Sequence, residues 1–267
     1  MRMPVMFRAG LSSLAMAGTL SLTLVSAAPA QTPPRRVLMV IETLGFHHAV
    51  TDHAARVLAR LGRRSGAFQL DVTRHAEKTL TARNLRRYSA VVFFTTGNLP
   101  LSAAQKAAFM RWLRAGHGFV GIHCATDTNY TWPAYGRMIG GYFNNHPWVN
   151  GSKLWLLNRD PHFPSQRQWP RRFQWTDEFY QFRNWHRRQV HILLQLDPKT
   201  LPHVPGMKPP PSGIFASAWV KYWGKGRVFY TALGHGYHAW NNPQFQQQVL
   251  MGVRWADGEI PYRVHVP

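Results

Sequence analysis

The chain is almost without cysteine, since Cys124 is the only one among 267 residues. An internal disulfide needs two thiols, and zinc ribbons and iron–sulfur clusters need several, so the sequence excludes all three. The fold must therefore be stabilised by an ordinary hydrophobic core, for which a chain of this length is sufficient.

Acidic residues are also scarce, because 11 Asp and Glu stand against 32 Lys and Arg, which gives a formal net charge of +21. A strongly basic protein attracts anionic partners such as nucleic acid, acidic polysaccharide or a membrane surface. The basic residues are nevertheless scattered through predicted helices and loops. No nucleic-acid-binding module accompanies them, so we expect no nucleic-acid partner.

The apolar stretch at residues 11–25 is short for a bilayer, which needs about 20 apolar residues. It follows two arginines and precedes an Ala28-Pro29-Ala30 cleavage pattern, an arrangement typical of a secretory signal peptide. We therefore predict a signal peptide over residues 1–30 and a single domain over residues 31–267. Export to the periplasm or the extracellular space follows, with no stable membrane insertion after cleavage. A permanent membrane anchor is the alternative.

Buried strands alternate with amphipathic helices in the first half of the domain. Continuous apolar runs at residues 36–41, 90–94 and 119–122 are typical of strands that are buried on both faces of a parallel sheet. Their alternation with helices predicts an α/β fold, a doubly wound and mostly parallel sheet with helices on both faces. The second half is less regular, with a predicted hairpin around Gly224 and a helix capped by Asn242.

Polar motifs, most of which contain histidine, follow the apolar runs at several points. In sheets of this type, ligands bind beyond the carboxyl ends of the strands, so we expect a shared polar pocket at one rim. A single histidine at the end of a strand is more often structural, so we infer a pocket only because several of these motifs are expected to meet at one rim. The motifs supply His47, His48, His123, Asp127, His146, Asp177, Glu178, Tyr180, His235 and His238.

Two kinds of chemistry suit such a pocket. Imidazole can accept or donate a proton near neutral pH, and a carboxylate can orient it or take a proton itself. Three or more converging histidines with a carboxylate also match a zinc, manganese or iron site. No H-E-x-x-H motif is present, so no cofactor is established and a divalent metal stays open.

The stretch FVGIHCATDTNY contains both His123 and Cys124, and either could occupy a nucleophile elbow. Elbows of the G-x-C-x-G or G-x-S-x-G type place the nucleophile two residues after a glycine. Gly121 therefore assigns that position to His123, and we interpret Cys124 as an inert core residue.

Five motifs, GFHH, GIHCATDTNY, GGYFNNHP, TDEFYQF and GKGRVFYTALGH, occur in this order and resemble the ThuA-like (trehalose-utilisation) family. The resemblance implies a class I glutamine amidotransferase-like, flavodoxin-like fold without a working glutamine triad. It also implies a role in sugar catabolism that includes 3-keto-glycosides made by partner dehydrogenases. The signal peptide and the basic charge are not part of the family pattern, so we do not expect a cytoplasmic trehalose role.

The leading hypothesis is an exported enzyme that acts on a glycoside or an oxidised (3-keto) sugar. We assign His123, Glu178, Asp127 and His47 as catalytic, with apolar neighbours expected to raise the pKa of Glu178. The residues assigned to a small-molecule or oligosaccharide substrate are His146, Asp177, Tyr180, His235, Trp132 and Trp240. His48 begins a helix and is expected to face solvent. A non-catalytic glycan- or anionic-polymer-binding module and a metal-dependent hydrolase are the alternatives, and the oligomeric state is not predicted.

Overall fold

The computed structural model describes residues 35–266, together with the isolated positions Met1, Pro4, Met6 and Gly10. Apart from these four positions, the predicted signal peptide lies outside the described residues. No helix within the described residues is both long and apolar enough to cross a membrane.

A single mixed sheet forms the centre of the described fold. Its strands are β1 (Arg35–Val40), β2 (Phe68–Thr73), β3 (Ala90–Phe93), β4 (Gly118–Ile122), β5 (Tyr142–Asn158), β6 (Arg172–Arg183), β7 (His191–Leu196), β8 (Ala216–Trp223) and β9 (Gly226–Thr231). Their order across the sheet is β2-β1-β3-β4-β9-β8-β7-β5-β6. The first five strands in this order are parallel neighbours. From β9 onward every neighbouring pair is antiparallel.

The prediction of a mostly parallel sheet was therefore wrong for the second half of the chain. Parallel neighbours need a crossover connection, usually a helix, whereas antiparallel neighbours can be joined by a short turn. Strands β8 and β9 are joined by the two residues Gly224 and Lys225, and β5 pairs directly with β6 through several register shifts. The second half thus extends the sheet without crossover helices.

Helices cover both faces of the parallel half. They are α1 (Thr51–Ser65), α2 (Ala76–Thr79), α3 (Ala82–Leu85), α4 (Ala103–Arg114), α5 (Pro133–Ile139), α6 (Tyr237–Asn241) and α7 (Pro243–Ala256). Alternate residues of β1 enter different cores, because successive side chains of a strand point to opposite faces. Val37 and Met39 share a core with α1 and α7, while Leu38 and Val40 share the other with α4 and α5.

The carboxyl ends of β1, β3, β4 and β9 meet at one edge of the sheet, since these strands are parallel. Isolated bridges join the loops that follow them, Thr43 to Thr96 and Gly97 to Thr128. Most of the predicted site residues lie in or beside these loops.

Candidate active site

His123 occupies the end of β4 in an unusual backbone conformation. Its φ is 46° and it is fully buried. Few residues other than glycine adopt this left-handed region, and such strain concentrates at functional sites. Its Nδ1 lies 2.6 Å from the carbonyl oxygen of Ala232. A carbonyl oxygen can only accept a hydrogen bond, so Nδ1 is the protonated donor. The other ring nitrogen, Nε2, faces the site.

Three side chains meet the Nε2 atom of His123. The Tyr180 hydroxyl lies at 2.8 Å, Nδ1 of His235 at 3.1 Å and Oε2 of Glu178 at 3.4 Å. Nδ1 of His235 is also 3.3 Å from the same carboxylate oxygen. The ring of His48 stands edge-on to the rings of both histidines, with centroids 5.1 Å from each. His48, His123, Glu178 and His235, which we call the histidine–glutamate cluster, each offer one ligand atom within 4.8 Å of the others.

Asp177 lies directly behind this cluster and holds two of its members by the backbone. Its Oδ1 accepts from the amides of Glu178 at 3.0 Å and His235 at 3.1 Å. Its Oδ2 accepts from the Gly234 amide at 2.8 Å and from Nε1 of Trp175 at 3.0 Å. With every acceptor site directed at protein, Asp177 positions the cluster and is not placed to bind substrate, contrary to the prediction.

The structure exchanges the predicted places of His47 and His48. His47 is exposed, with its Nδ1 3.1 Å from the Thr43 hydroxyl, whereas His48 is buried in the cluster. The burial of His48 could have been predicted from the helical spacing of apolar positions in the sequence. Thr51, Ala54 and Leu58 line the buried face of α1, and His48 precedes Thr51 by three residues on the same side.

The electrostatics of the cluster follow from burial and from its single carboxylate. Burial, together with the neighbouring imidazoles of His123 and His235, lowers the pKa of His48 to about 3. Burial alone would raise the pKa of Glu178, but hydrogen bonds and charges of His123 and His235 hold it well below its usual range. Burial opposes protonation of His235, yet Glu178 more than offsets this and raises its pKa. The expected raised pKa of Glu178 was therefore wrong.

A cavity of about 120 Å³ opens above the cluster. Of the cluster, His48, Glu178 and His235 line this cavity, whereas His123 is fully buried beneath it. The other lining residues are Phe46, Asp127, Phe143, His146 and Tyr180. Nδ1 of His146 lies 3.6 Å from Oε1 of Glu178. Asp127 accepts a 2.6 Å hydrogen bond from the Tyr130 hydroxyl, and burial raises its pKa against the effect of that bond. The cavity thus presents two carboxylates in opposite electrostatic settings.

The two tryptophans predicted to line the pocket lie in the core instead. Trp132 packs against Phe109 and Tyr135, between α4 and α5. Trp240 stacks on Phe94 and is fully buried. Both rings bury large apolar surfaces more completely in these places than a cavity wall would allow. The aromatic side chains at the cavity are those of Phe46, Phe143 and Tyr180.

The thiol of Cys124 is fully buried in the core formed with α1 and α7. Burial raises the pKa of the thiol well above its ordinary value. A thiol needs ionisation to act as a nucleophile, so this environment leaves it unreactive.

Fold and cluster together define an α/β protein whose parallel strands end at a buried, histidine-rich site with one carboxylate. The model of the ThuA family, described as trehalose utilisation, matches residues 36–256, so the chain belongs to this family. The resemblance carried by the five motifs is thereby confirmed.

Solved structures agree with this assignment at the level of the fold. A ThuA-like protein from Bacteroides uniformis is 24% identical with a TM-score of 0.68, the match covering 86% of this chain and 94% of that one. A ThuA-like protein from Parabacteroides merdae is 21% identical with a TM-score of 0.64, covering 86% and 93%. A β-galactosidase from Bacillus circulans is 11% identical with a TM-score of 0.53, covering 85% of this chain but 31% of that chain. A search among curated proteins finds no match.

Proposed function

We propose that the protein is a sugar-processing enzyme that acts on a glycoside or an oxidised 3-keto sugar by acid–base chemistry at the histidine–glutamate cluster. The observation that carries the proposal is the convergence of three imidazoles and one carboxylate beside a small cavity, which His48, His235 and Glu178 line directly and His123 underlies. Such a convergence of buried polar groups is costly for stability, and is typical of a functional site. The family's description, trehalose utilisation, supports a sugar-related role for the site.

The two carboxylates of the cavity suit opposite roles. His123 and Glu178 are the candidate proton-handling pair, since Nε2 of His123 lies 3.4 Å from a Glu178 carboxylate that its imidazole neighbours hold ionised. Asp127, whose pKa is raised by burial, is the candidate acid. Enzymes that need an acid and a base at one pH separate the two by environment in this way. In a keto sugar, the carbonyl acidifies the hydrogens on adjacent carbons, so a buried base has a proton to remove.

The remaining cavity residues suit the recognition of a sugar. The hydroxyl of Tyr180 and the half-exposed ring of His146 can exchange hydrogen bonds with hydroxyl or carbonyl oxygens. The faces of Phe46 and Phe143 offer apolar surfaces for the C–H face of a sugar ring. At about 120 Å³ the cavity is smaller than the roughly 300–1,000 Å³ of typical ligand pockets, so it receives part of a sugar ring and leaves the rest of a glycoside outside.

We also propose that the protein is exported and that its parallel half has a flavodoxin-like arrangement. Residues 1–30 have the basic start, the apolar segment and the Ala-x-Ala pattern of a signal peptide, which supports a periplasmic or extracellular place of action. The strand order β2-β1-β3-β4-β9 matches the 2-1-3-4-5 order of flavodoxin-like sheets. We therefore assign the parallel half to a flavodoxin-like, doubly wound arrangement.

A substrate screen with matched variants tests the function. Purified protein lacking residues 1–30 is incubated with glycosides and 3-keto-glycosides, and products are followed by mass spectrometry. We expect turnover that falls by about 100-fold or more in Glu178→Gln and in His123→Ala, the usual loss when an acid–base group is removed. Cys124→Ala is the control. Sugar binding without turnover in the wild type would favour the glycan-binding module instead.

A further inference from the structure

We infer that His123, His235, Glu178 and His48 together bind one divalent transition-metal ion. This inference concerns the same site as the proposed function and deepens it, but it stands on the geometry of the cluster alone.

The distances between the candidate ligand atoms match a metal site. Nε2 of His123, Nδ1 of His235 and Oε2 of Glu178 form a triangle with sides of 3.1, 3.4 and 3.3 Å. Zinc binds imidazole nitrogen at roughly 2.0–2.1 Å, so ligands at neighbouring corners of a tetrahedron lie about 3.3 Å apart. The spacing of the three atoms therefore matches one ion in contact with all of them, once the Tyr180 hydroxyl, 2.8 Å from Nε2 of His123, releases that nitrogen.

His48 is the fourth member and lies farther out. All four ligand atoms fall within 4.8 Å of one another, and the three distances of the triangle are shorter, so the widest separations involve His48. A change in the orientation of its side chain would bring a ring nitrogen of His48 to the ion. Its Nδ1 is buried and has no hydrogen-bond partner among the described residues. A buried imidazole without partners is costly unless something else satisfies it.

Groups behind the cluster orient the ligands as they do in metal sites. Metal-binding histidines almost always donate their other ring nitrogen to a carboxylate or a backbone carbonyl. His123 does so to the carbonyl of Ala232 at 2.6 Å. Asp177 fixes the backbones of Glu178 and His235 through one oxygen atom. The ligands are thus held in place before any ion binds.

The donor set also selects the class of metal. Three imidazole nitrogens and one carboxylate oxygen suit zinc, cobalt, manganese or iron, whereas calcium and magnesium prefer oxygen ligands only. The sole thiol, Cys124, lies in the core and is not a member of the cluster. With Glu178 and His123 bound to the ion, Asp127 and His146, which line the cavity outside the ligand set, are the groups left to exchange protons with a substrate.

Direct metal titration tests the site independently of any substrate. Untagged protein is stripped with a chelator and titrated with Zn²⁺, Co²⁺ and Mn²⁺ by calorimetry, and Co²⁺ binding is followed by its visible absorption. We expect one ion per chain. Loss of a ligand in His235→Ala or Glu178→Gln weakens binding by at least about 100-fold, since removal of an outer-shell group alone costs 10–100-fold. His47→Ala and His238→Ala are matched controls, because both residues are exposed histidines beside the site.

The outcomes separate this inference from the proposed function. No stoichiometric binding of any of the three ions, or equal affinity in His235→Ala and His47→Ala, overturns the metal site. Glu178→Gln is nearly isosteric and keeps the test valid if His235→Ala fails to fold. Metal binding without turnover of any sugar supports the site and overturns the proposed function. Turnover of a sugar by protein that binds no metal overturns the metal site and leaves the proposed function standing.

Discussion

Asp177 offers a sensitive test of how the site is built, because it touches the cluster only through the backbone. Replacement of Asp177 by asparagine keeps the shape of the side chain but turns one acceptor into an NH₂ donor. Either orientation then places that donor against two N–H groups. These are Gly234 and Trp175 on one side, or Glu178 and His235 on the other.

The magnitude follows from the bonds that are lost. Each buried donor left unsatisfied costs about 1–3 kcal/mol, so two together cost about 2–6 kcal/mol in the free energy of unfolding. The released backbone also moves Glu178 or His235 relative to His123, although no cluster side chain has changed. Changes to such outer groups typically lower activity or metal affinity by about 10–100-fold. We expect both effects in Asp177→Asn.

The assay combines denaturant unfolding with kinetics or metal titration on the same preparation. Asp160→Asn is the matched control, since Asp160 also accepts several hydrogen bonds but bonds to His191 and Tyr262 at a distance from the cluster. It should lose stability and keep normal activity and metal affinity. Unchanged activity and affinity in Asp177→Asn, with the expected loss of stability, would refute the positioning role.

Three other predictions concern the cluster, the buried thiol and a buried lysine. His48→Ala should lower turnover or metal affinity by about 10-fold or more, and His47→Ala should change neither, because only His48 belongs to the cluster. Steady-state kinetics and metal titration of the two variants test this. The folded protein should resist alkylation of Cys124 by iodoacetamide, followed by mass spectrometry, and rapid labelling with loss of activity would restore the nucleophile hypothesis. Burial lowers the pKa of Lys221 to about 8, so its charge destabilises the fold below pH 8 and this cost fades as pH rises toward the unfolded value of 10.5. Lys221→Met should therefore raise the free energy of unfolding at pH 7 by about 2 kcal/mol, once the cost of losing the hydrogen bond to the Arg137 carbonyl is subtracted. This gain should disappear above pH 10.5, and a gain independent of pH would contradict the reasoning.

The sequence predicted the parallel half of the fold better than the antiparallel half, for a physical reason. Strands such as β3 and β4 are buried on both faces and appear as continuous apolar runs between helices. Strand β5 is long, partly exposed and interrupted by register shifts, so its 17 residues show no simple periodicity. Pairing direction depends on contacts distant in the chain, which local patterns do not contain.

The wrong predictions at the site also arose because contacts between residues distant in the chain are not visible in local sequence patterns. The neighbours of Glu178 along the chain are apolar, which led to the expectation of a raised pKa, but its neighbours in space are imidazoles from β4 and from the loop after β9. Trp240 is next to a motif histidine in sequence, yet its ring packs into the core. The position of His123 was the part that local reasoning could reach, because the glycine spacing of the elbow is a local feature.

The most direct test of the central claim is the turnover of 3-keto-glycosides by the protein without residues 1–30, measured beside its Glu178→Gln variant. We expect measurable product formation by the wild type and a decrease of about 100-fold or more in the variant, with circular dichroism showing an unchanged fold. Equal turnover by the two proteins would contradict the assignment of the histidine–glutamate cluster as the active site.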